Sequence, residues 1–346
     1  MDLSIIIINW NSKDYLRECL RSLPAGVGAL AYRVLVIDNA SPDECGKMLA
    51  EEFPRVIFIQ SDRNLGFAGG NNRAARQAAG DFLLFLNPDT VVEDGALAQL
   101  VQALRRLPDA GAVGARLLNS DGSLQTSCVQ SFPTILNQVL DSEWLRSWFP
   151  NSRLWGMTSL FSDSREPSPV EAISGACVMI RHDLFARIGG FDGRYFMYSE
   201  DLDLSFKVQA AGFKCYYVPS ATVIHHGGGS SKSARSLFSV VMMRESVWRF
   251  LRFNRGQWSA TGYRLAIGAA ALVRLILILP LLLVKPKVVT HGAGSLQKWY
   301  SILRWTLGLE SWAREGKPVR QPQSACSTPA VATPSQGEVQ EASSMR

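Results

Sequence analysis

The N-terminal third of the chain repeats one pattern, in which a short apolar run and a polar break are followed by apolar positions spaced three and four apart. SIIIIN precedes SKDYLRECLRSL, YRVLVIDN precedes DECGKMLAEEF, RVIFIQ precedes FAGGNNRAARQAAG, and DFLLFLN precedes GALAQLVQALRRL. Apolar runs without polar alternation suit strands buried on both faces, and the three-and-four spacing gives each following segment one apolar helical side. Four strand and helix units in succession predict an α/β fold whose mostly parallel sheet is covered by helices on both faces.

The pattern then changes. From about 112 to 170 it turns polar and irregular around SEWLRSWFPNSRLWG, either an insertion facing an acceptor or a packed excursion. Strand character returns in VEAISGACVMIR and FKCYYVP, with a helix expected from about Glu200 to Ala211 between them. Beyond Ser231 come arginine, tryptophan and long apolar runs, and from Lys317 mostly Pro, Ser, Gln and Ala. The expected division is a catalytic α/β domain over 1–235, a helical basic and apolar region over 236–315, and a disordered tail over 316–346.

Length and composition, 346 residues with 47% hydrophobic, allow one large domain with an appendage. Cysteines at 19, 45, 128, 177, 215 and 326 form no CxxC pair, which predicts buried free thiols in a reducing compartment. The opening MDLSIIIINWN carries too short an apolar run for a signal peptide and reads as a strand. A formal charge of +6 raises the question of nucleic acid, but the excess lies late, at Arg244, Arg249, Arg252, Arg255, Arg264, Arg274, Lys285 and Lys287, interleaved with apolar residues. No nucleic-acid partner is expected from that arrangement.

The late segment LAIGAAALVRLILILPLLLVKPK is long enough, as a helix, to cross about 30 Å of hydrocarbon. Arg274 and Pro280 interrupt it. A charge at mid-helix costs about 2.5–3.5 kcal/mol on insertion scales, which favours an interfacial or re-entrant helix over a full span. With its basic flanks and Trp248, Trp258 and Trp299, the segment predicts a membrane-surface partner.

Candidate chemistry sits at the carboxyl ends of the predicted strands, where open α/β sheets bind ligands. Those ends carry Asn9, Trp10, Asn11 and Ser12; then Asp38, Asn39 and Ser41; then Asn64 and Gly66; then Asn87 and Asp89. Four Asn- and Asp-rich ends in a row point to a base, a ribose and a metal-bound diphosphate, although each alone is ordinary turn chemistry. NLGFAGGNN lacks G-x-G-x-x-G and follows the third strand, which excludes a dehydrogenase fingerprint. Its Gly66, Gly69 and Gly70 serve close backbone approach to a ligand or to a neighbouring element, with Asn64 as cap. HHGGGSS puts His225 and His226 before a glycine run, an imidazole and amide-nest pattern that suits metal or phosphate. FDGRYFMYSEDLDL sets Asp192, Glu200, Asp201 and Asp203 among aromatics that could stack on sugar rings, with Glu200 and Asp201 opening a helix, where ionised carboxylates are stabilised.

Taken in order, IIIINWNS, VIDNASPD, NLGFAGGNN, FLNPDT, SGACVMIRHDLFARIGGFD, SEDLDLSFK and VIHHGGGSS resemble the family 2 glycosyltransferases of GT-A fold, in their bacterial rhamnosyltransferase-like branch, over about residues 3 to 231. The resemblance implies a transferase using a nucleoside diphosphate sugar donor, dTDP-rhamnose above all, and a glycan or polyprenyl-linked acceptor. It implies inversion with Mg²⁺ or Mn²⁺ as cofactor, at the cytoplasmic face of the plasma membrane, peripherally or through one C-terminal hydrophobic segment. On this chain it implies Asp38 toward the nucleobase, Asn9, Asn11, Asn64, Gly66 and Asn87 around the donor, Asp89 on metal and diphosphate, His226 as a further metal ligand, and Asp201 as catalytic base. The family's D-x-D has Asn87 in its first position here, and from the pattern alone Asn87→Asp is expected to be tolerated. Other readings are a UDP-hexose or GDP-sugar donor, and a catalytically silent subunit that only binds sugar nucleotide or glycan.

Overall fold

The computed structural model of the chain describes residues 1–227, 237–284 and 289–315. Lys285, Lys287, the glycines at 228 and 229, and the tail from 316 lie outside the described residues, so the expected amide nest and disordered tail fall there.

The four predicted units are present. Strands β1 (Leu3–Asn9), β2 (Tyr32–Asp38), β3 (Ile57–Gln60) and β4 (Phe82–Leu86) lie in parallel in the order β3-β2-β1-β4, connected through α1 (Lys13–Val27), α2 (Cys45–Glu52) and α3 (Gly66–Ala75). Ile5 and Ile7 face one apolar cluster with Leu16 and Leu100, while Ile6 faces a second with Ala68 and Phe185. Both sides of the strand are therefore covered, which is why its sequence does not alternate.

After β4 come β5 (Thr90–Val92), α4 (Ala96–Arg106) and β6 (Ala110–Leu118). The stretch from 112 that reads as the start of an irregular region is thus a central strand. Its small residues disguise it: a Cβ on Gly114 would sit 2.1 Å from Ile173 Cγ2, so the sheet leaves room there for nothing larger. The true excursion follows, with β7 (Val129–Gln130), α5 (Ile135–Val139), α6 (Glu143–Trp148), β8 (Ser168–Val170) and β9 (Ala172–Ile173). Then β10 (Cys177–Arg181), α7 (His182–Arg187), α8 (Glu200–Ala210) and β11 (Lys214–His225) complete the α/β part. The strand order among the described residues is β3-β2-β1-β4-β10-β6-β11-β5, with β8 beside β11. Of these nine strands β1, β2, β3, β4, β6 and β11 run one way, and β5, β8 and β10 run against them. The mostly parallel α/β sheet is as predicted.

The chain ends in α9 (Leu237–Arg255), α10 (Gln257–Val284), α11 (Val289–Thr306) and α12 (Ser311–Glu315). They share a third apolar cluster with Phe132, Tyr195 and Leu202 of the α/β part, where Phe132 and Phe250 stack with ring centroids 5.8 Å apart. Among the described residues one helix, over Gln257–Ile278, is long and apolar enough to cross a membrane. Its Ala260, Tyr263, Ile267 and Ala271 are buried against the protein, and its Leu265, Leu272 and Ile276 are exposed on the opposite side.

The basic residues of this region serve largely as internal struts. Arg244 is buried, Arg249 bonds Glu245 and main-chain carbonyls, Arg264 donates to the carbonyl oxygens of Trp305 and Thr306, and Arg274 donates to that of Val139 while lying 4.2 Å from the Trp299 ring centre. Of the three tryptophans expected at a membrane surface only Trp258 points freely outward, at 89% exposed; Trp248 and Trp299 lie under Arg252 and Arg274.

Candidate active site

The parallel strands end at one edge, and their last side chains form a row, since Asn9 pairs in register with Asp38 and Asp38 with Gln60. Asp38 is fully occupied: Oδ1 accepts from Asn9 Nδ2 at 3.0 Å, and Oδ2 accepts from Gln60 Nε2 at 2.8 Å and the Ser41 amide at 3.0 Å. Beside it Asp43 accepts from Asn9 Nδ2, the Lys13 amide and the Cys45 amide. Burial pushes the Asp43 carboxyl up, but these bonds outweigh it and hold the group below its ordinary range.

Asn11, at φ 55, donates its amide to Ser41 Oγ at 2.7 Å with its side chain exposed. Asn64 is exposed too, and its Oδ1 accepts from the Gly66 amide at 2.8 Å in a turn two residues long; the N-cap of α3 is Leu65, whose side chain makes no cap bond, so Asn64 is not the cap expected of it. Gly66 has another task. At φ +70, a Cβ there would lie 2.2 Å from the Phe196 carbonyl oxygen, so the glycine admits the loop before α8 and packs against protein.

Among the described residues the one trio of possible metal donors within 4.8 Å of one another is Asp38, Asp43 and Cys45. Its chemistry does not suit an ion. The carboxylates already accept two or more bonds each, and burial, reinforced by the charges of Asp38 and Asp43, pushes the Cys45 thiol far up, away from the thiolate a metal needs.

The fourth strand end differs. Asn87 and Asp89 form a turn closed by Thr90 Oγ1 donating to the Asn87 carbonyl at 2.8 Å, and β5 then pairs with β11 so that His225 stands opposite Thr90. His225 Nε2 lies 3.3 Å from Asp89 Oδ1 and 3.2 Å from Asn87 Nδ2. The neighbouring His226 donates its amide to the Asp89 carbonyl, its Nδ1 meets Ser120 Oγ at 2.8 Å, its ring lies 5.4 Å from that of Tyr15, and its Nε2 is buried without a hydrogen-bond partner. Asp89 with His225 Nε2 in its reach offers two donors to a divalent ion, and His226, the next residue, completes no cluster of three donors with them within 4.8 Å. The resemblance put only His226 here; His225 joins it because β11 carries register shifts at 214/215 and 218/222, so its parity cannot be counted from the sequence.

Glu200 and Asp201 open α8 after Tyr198 and Ser199, both held at positive φ, 70 and 62. Two bulky or polar residues in the left-handed region cost strain that neighbouring contacts must hold, here the Phe67 amide on the Phe196 carbonyl and Ser246 Oγ on that of Met197. Asp201 accepts from the Gly175 amide through Oδ2 and the Leu202 amide through Oδ1, both at 2.9 Å. The same 174–176 loop also bonds the turn that carries Asp89, because the Ala176 carbonyl accepts from the Asn87 amide at 2.9 Å. Burial raises the Asp201 carboxyl despite its amide partners, and burial plus the Asp201 charge raises Glu200 further, with Glu200 Oε2 lacking any hydrogen-bond partner.

The other acids and rings of FDGRYFMYSEDLDL have structural tasks. Asp203 is buried, accepting from Tyr195 and Asn254 beside Lys207, and Asp192 pairs with Arg194. Phe191 and Tyr195 are 2% and 1% exposed, so neither is free to stack on a sugar; Phe191 packs edge-on against Phe67 and Phe85 instead. Sequence reasoning also missed the roles of Gln60 and Asp43, which sit in the quoted runs RVIFIQ and VIDNASPD, and of Gln125, which lies far from the strand-end motifs. The five cysteines among the described residues are free and buried, as expected.

Comparison with known proteins shows the family and the fold. A model of the family described as glycosyl transferase family 2 matches residues 4–189. The chain is 32% identical over 247 residues to the N-acetylglucosaminyl-diphospho-decaprenol L-rhamnosyltransferase of Mycobacterium tuberculosis, covering 66% of this chain and 77% of that one. It is 28% identical over 260 residues to the rhamnosyltransferase WbbL of Escherichia coli K12, covering 72% and 93%. Its fold is similar to that of a mannosyltransferase from Pyrobaculum calidifontis solved with GDP-Man and Mn²⁺, with TM-score 0.51 at 15% identity over 89% of this chain and 87% of that one.

Proposed function

The chain belongs to glycosyl transferase family 2 and is a glycosyltransferase, and from that premise we propose that it transfers rhamnose, with inversion, from dTDP-rhamnose to a lipid-linked glycan. The observation that carries the reading is a pair of acids whose local chain bonds the 174–176 loop on either side, Asp89 with the His225 imidazole 3.3 Å away and Asp201 with its carboxyl raised by burial. Relatives named as rhamnosyltransferases support the donor, and the M. tuberculosis name, with its diphospho-decaprenol, supports a lipid-linked acceptor.

In this reading the acceptor hydroxyl oxygen forms a bond to the anomeric carbon as the bond from that carbon to the diphosphate oxygen breaks. The hydroxyl proton passes to Asp201, and the diphosphate leaves with the electron pair. A raised carboxyl is a stronger base, closer to working pH than an ordinary aspartate. Asp89 and His225, with His226 next to them in the chain, would hold Mg²⁺ or Mn²⁺, and the ion would supply positive charge against the leaving diphosphate. Asn9 and Asp38 define the wall for the nucleoside, Asn11 and Asn64 reach the opening from its rim, and Asn87 orients the imidazole. Holding the reactants in line can itself supply about 7–11 kcal/mol.

The outward face of α10, with Leu265, Leu272 and Ile276, suits the surface of a membrane that holds such an acceptor. Sedimentation of the full chain with anionic vesicles tests that part, and a chain left in the supernatant contradicts it. The transfer itself is tested by nucleoside diphosphate release with dTDP-, UDP- and GDP-sugars and a polyprenyl-diphospho-N-acetylglucosamine acceptor, with and without Mn²⁺. Metal-dependent turnover with dTDP-rhamnose and a product of inverted anomeric configuration is expected. Turnover with another donor, or none with any, overturns it.

A further inference from the structure

Two guanidinium groups meet where α5, α9 and α10 join, with little to neutralise them. Arg244 of α9 is buried, and its Nη1 donates to Gln138 Oε1 at 3.4 Å. Arg274 of α10, the charge that interrupts the apolar run, is half-buried, and its Nη2 donates to the carbonyl of the next residue, Val139, at 3.2 Å. Consecutive residues at the end of α5 thus bring the two groups together, near enough for their charges to repel. The carboxylate close to them, Asp141, is engaged by Arg146 Nε at 2.8 Å. Among the described residues neither Arg244 nor Arg274 has a carboxylate at salt-bridge distance.

A helix end attracts cations to its last carbonyls, which accounts for one bond of Arg274. The remaining donors are unexplained. A guanidinium has five N–H donors, and among the described residues each of these two makes a single hydrogen bond. Buried cations ordinarily have an anionic partner. A third group beside them also lacks one: the Tyr263 hydroxyl on α10 is fully buried near Arg244 and makes no hydrogen bond. Two cations and a hydroxyl with donors to spare are complementary to phosphate oxygens. The surface around them is apolar. Val273 and Leu277 flank Arg274 and are exposed, and α5 exposes Ile135 and Leu136 across the junction. The junction is also tied to the candidate base. Gln130 of β7, shortly before α5, bonds the Asp201 side chain, and Ser246, about 3 Å along α9 from Arg244, donates to the Met197 carbonyl in the loop that leads to Asp201.

We propose that Arg244 and Arg274, with the Tyr263 hydroxyl, hold the diphosphate of a polyprenyl-linked sugar acceptor, whose first isoprene units lie on the exposed apolar residues of α5 and α10. Arg274 meets the diphosphate at the surface and Arg244 meets it from within. The choice of a diphosphate lipid rests on the reading of the acceptor given above; the anion site itself does not.

The test is isothermal titration calorimetry of the full-length protein in neutral detergent with farnesyl-diphospho-N-acetylglucosamine, and with the uncharged farnesyl N-acetylglucosaminide as reference. The native protein should prefer the diphosphate lipid by about 10- to 100-fold, the range that charged hydrogen bonds supply. Arg274→Gln should lose most of that preference and Arg274→Lys should recover part of it, with thermal unfolding as the check that both keep the fold. Arg244→Gln probes the buried partner in the same way. Equal affinity of the native protein for the two lipids, or a preference that survives in Arg274→Gln, overturns the site. Displacement of the diphosphate lipid by an equal concentration of phosphatidylglycerol shows a general headgroup site and overturns the assignment to the acceptor. If the preference behaves as expected but no donor sugar is transferred to this lipid, the anion site stands and the acceptor reading fails. Transfer to it at native efficiency by Arg274→Gln leaves the acceptor reading standing and removes the site.

Discussion

Two groups of acids stand at the same edge of the sheet and have been treated oppositely by the fold. Around Asp38 and Asp43 the carboxylate oxygens are met by amides and side-chain donors, and the density of possible metal ligands is highest there. Around Asp89 and Asp201 an imidazole nitrogen of His226 and a carboxylate oxygen of Glu200 are orphaned, and burial raises the carboxyls of Glu200 and Asp201. Donor bonds hold Asp43 below its ordinary range, whereas burial outweighs the amide partners of Asp201 and leaves it a proton affinity to use. Crowding of ligand atoms is thus a poorer guide to chemistry here than the direction in which burial and bonding shift a carboxyl.

The contrast is broken most severely at Asp201. Asp201→Asn retains shape but cannot take a proton, and turnover is expected to fall by about 10²–10⁴ with donor affinity nearly unchanged. Steady-state kinetics beside calorimetry check this, and equal losses of both quantities would move Asp201 into binding. In the native enzyme kcat/KM should decline with acid at a pH above the ordinary aspartate range, since Asp201 must be ionised to act and its carboxyl is raised.

The saturated side should answer in stability instead. Asp38→Ala takes the acceptor from the Ser41 amide and one acceptor each from Asn9 and Gln60, at a cost of about 1–3 kcal/mol in urea unfolding. The smallest effect belongs to Glu200. A carboxyl raised by burial favours the folded state fully below its ordinary value of 4.5 and loses that contribution as pH rises through the raised value. Glu200→Gln has no such loss, so its Tm should exceed the native one by a margin that widens from acid to neutral pH; a constant margin would show that Glu200 is not held protonated.

Much of this was legible in the chain itself. The alternation of apolar runs and helical spacing announced β1 to β4 and their helices, and the strand-end order put Asn9, Asp38, Asn87 and Asp89 on one edge, as observed. What was hidden has physical causes. β6 hides because Gly111, Gly114 and alanines pack where larger residues clash, so a buried strand lacks the bulky signature. The choice between His225 and His226 hides because the shifts in β11 break the two-residue period. The aromatics of FDGRYFMYSEDLDL read as a sugar wall because composition cannot tell a ring in a cleft from one in the core. Gln125 hides because its partner His225, whose Nδ1 lies 2.7 Å from Gln125 Oε1, is 100 residues away in the chain.

The central claim is that the working metal site lies at Asp89 and not at the denser Asp38, Asp43 and Cys45 group. Mn²⁺ titration by electron paramagnetic resonance, in the presence of dTDP, of the native protein, Asp89→Ala and Asp43→Asn tests it most directly. The account predicts that Asp89→Ala abolishes specific Mn²⁺ binding while Asp43→Asn retains it within a few-fold. Loss of the ion in Asp43→Asn with binding intact in Asp89→Ala would contradict it.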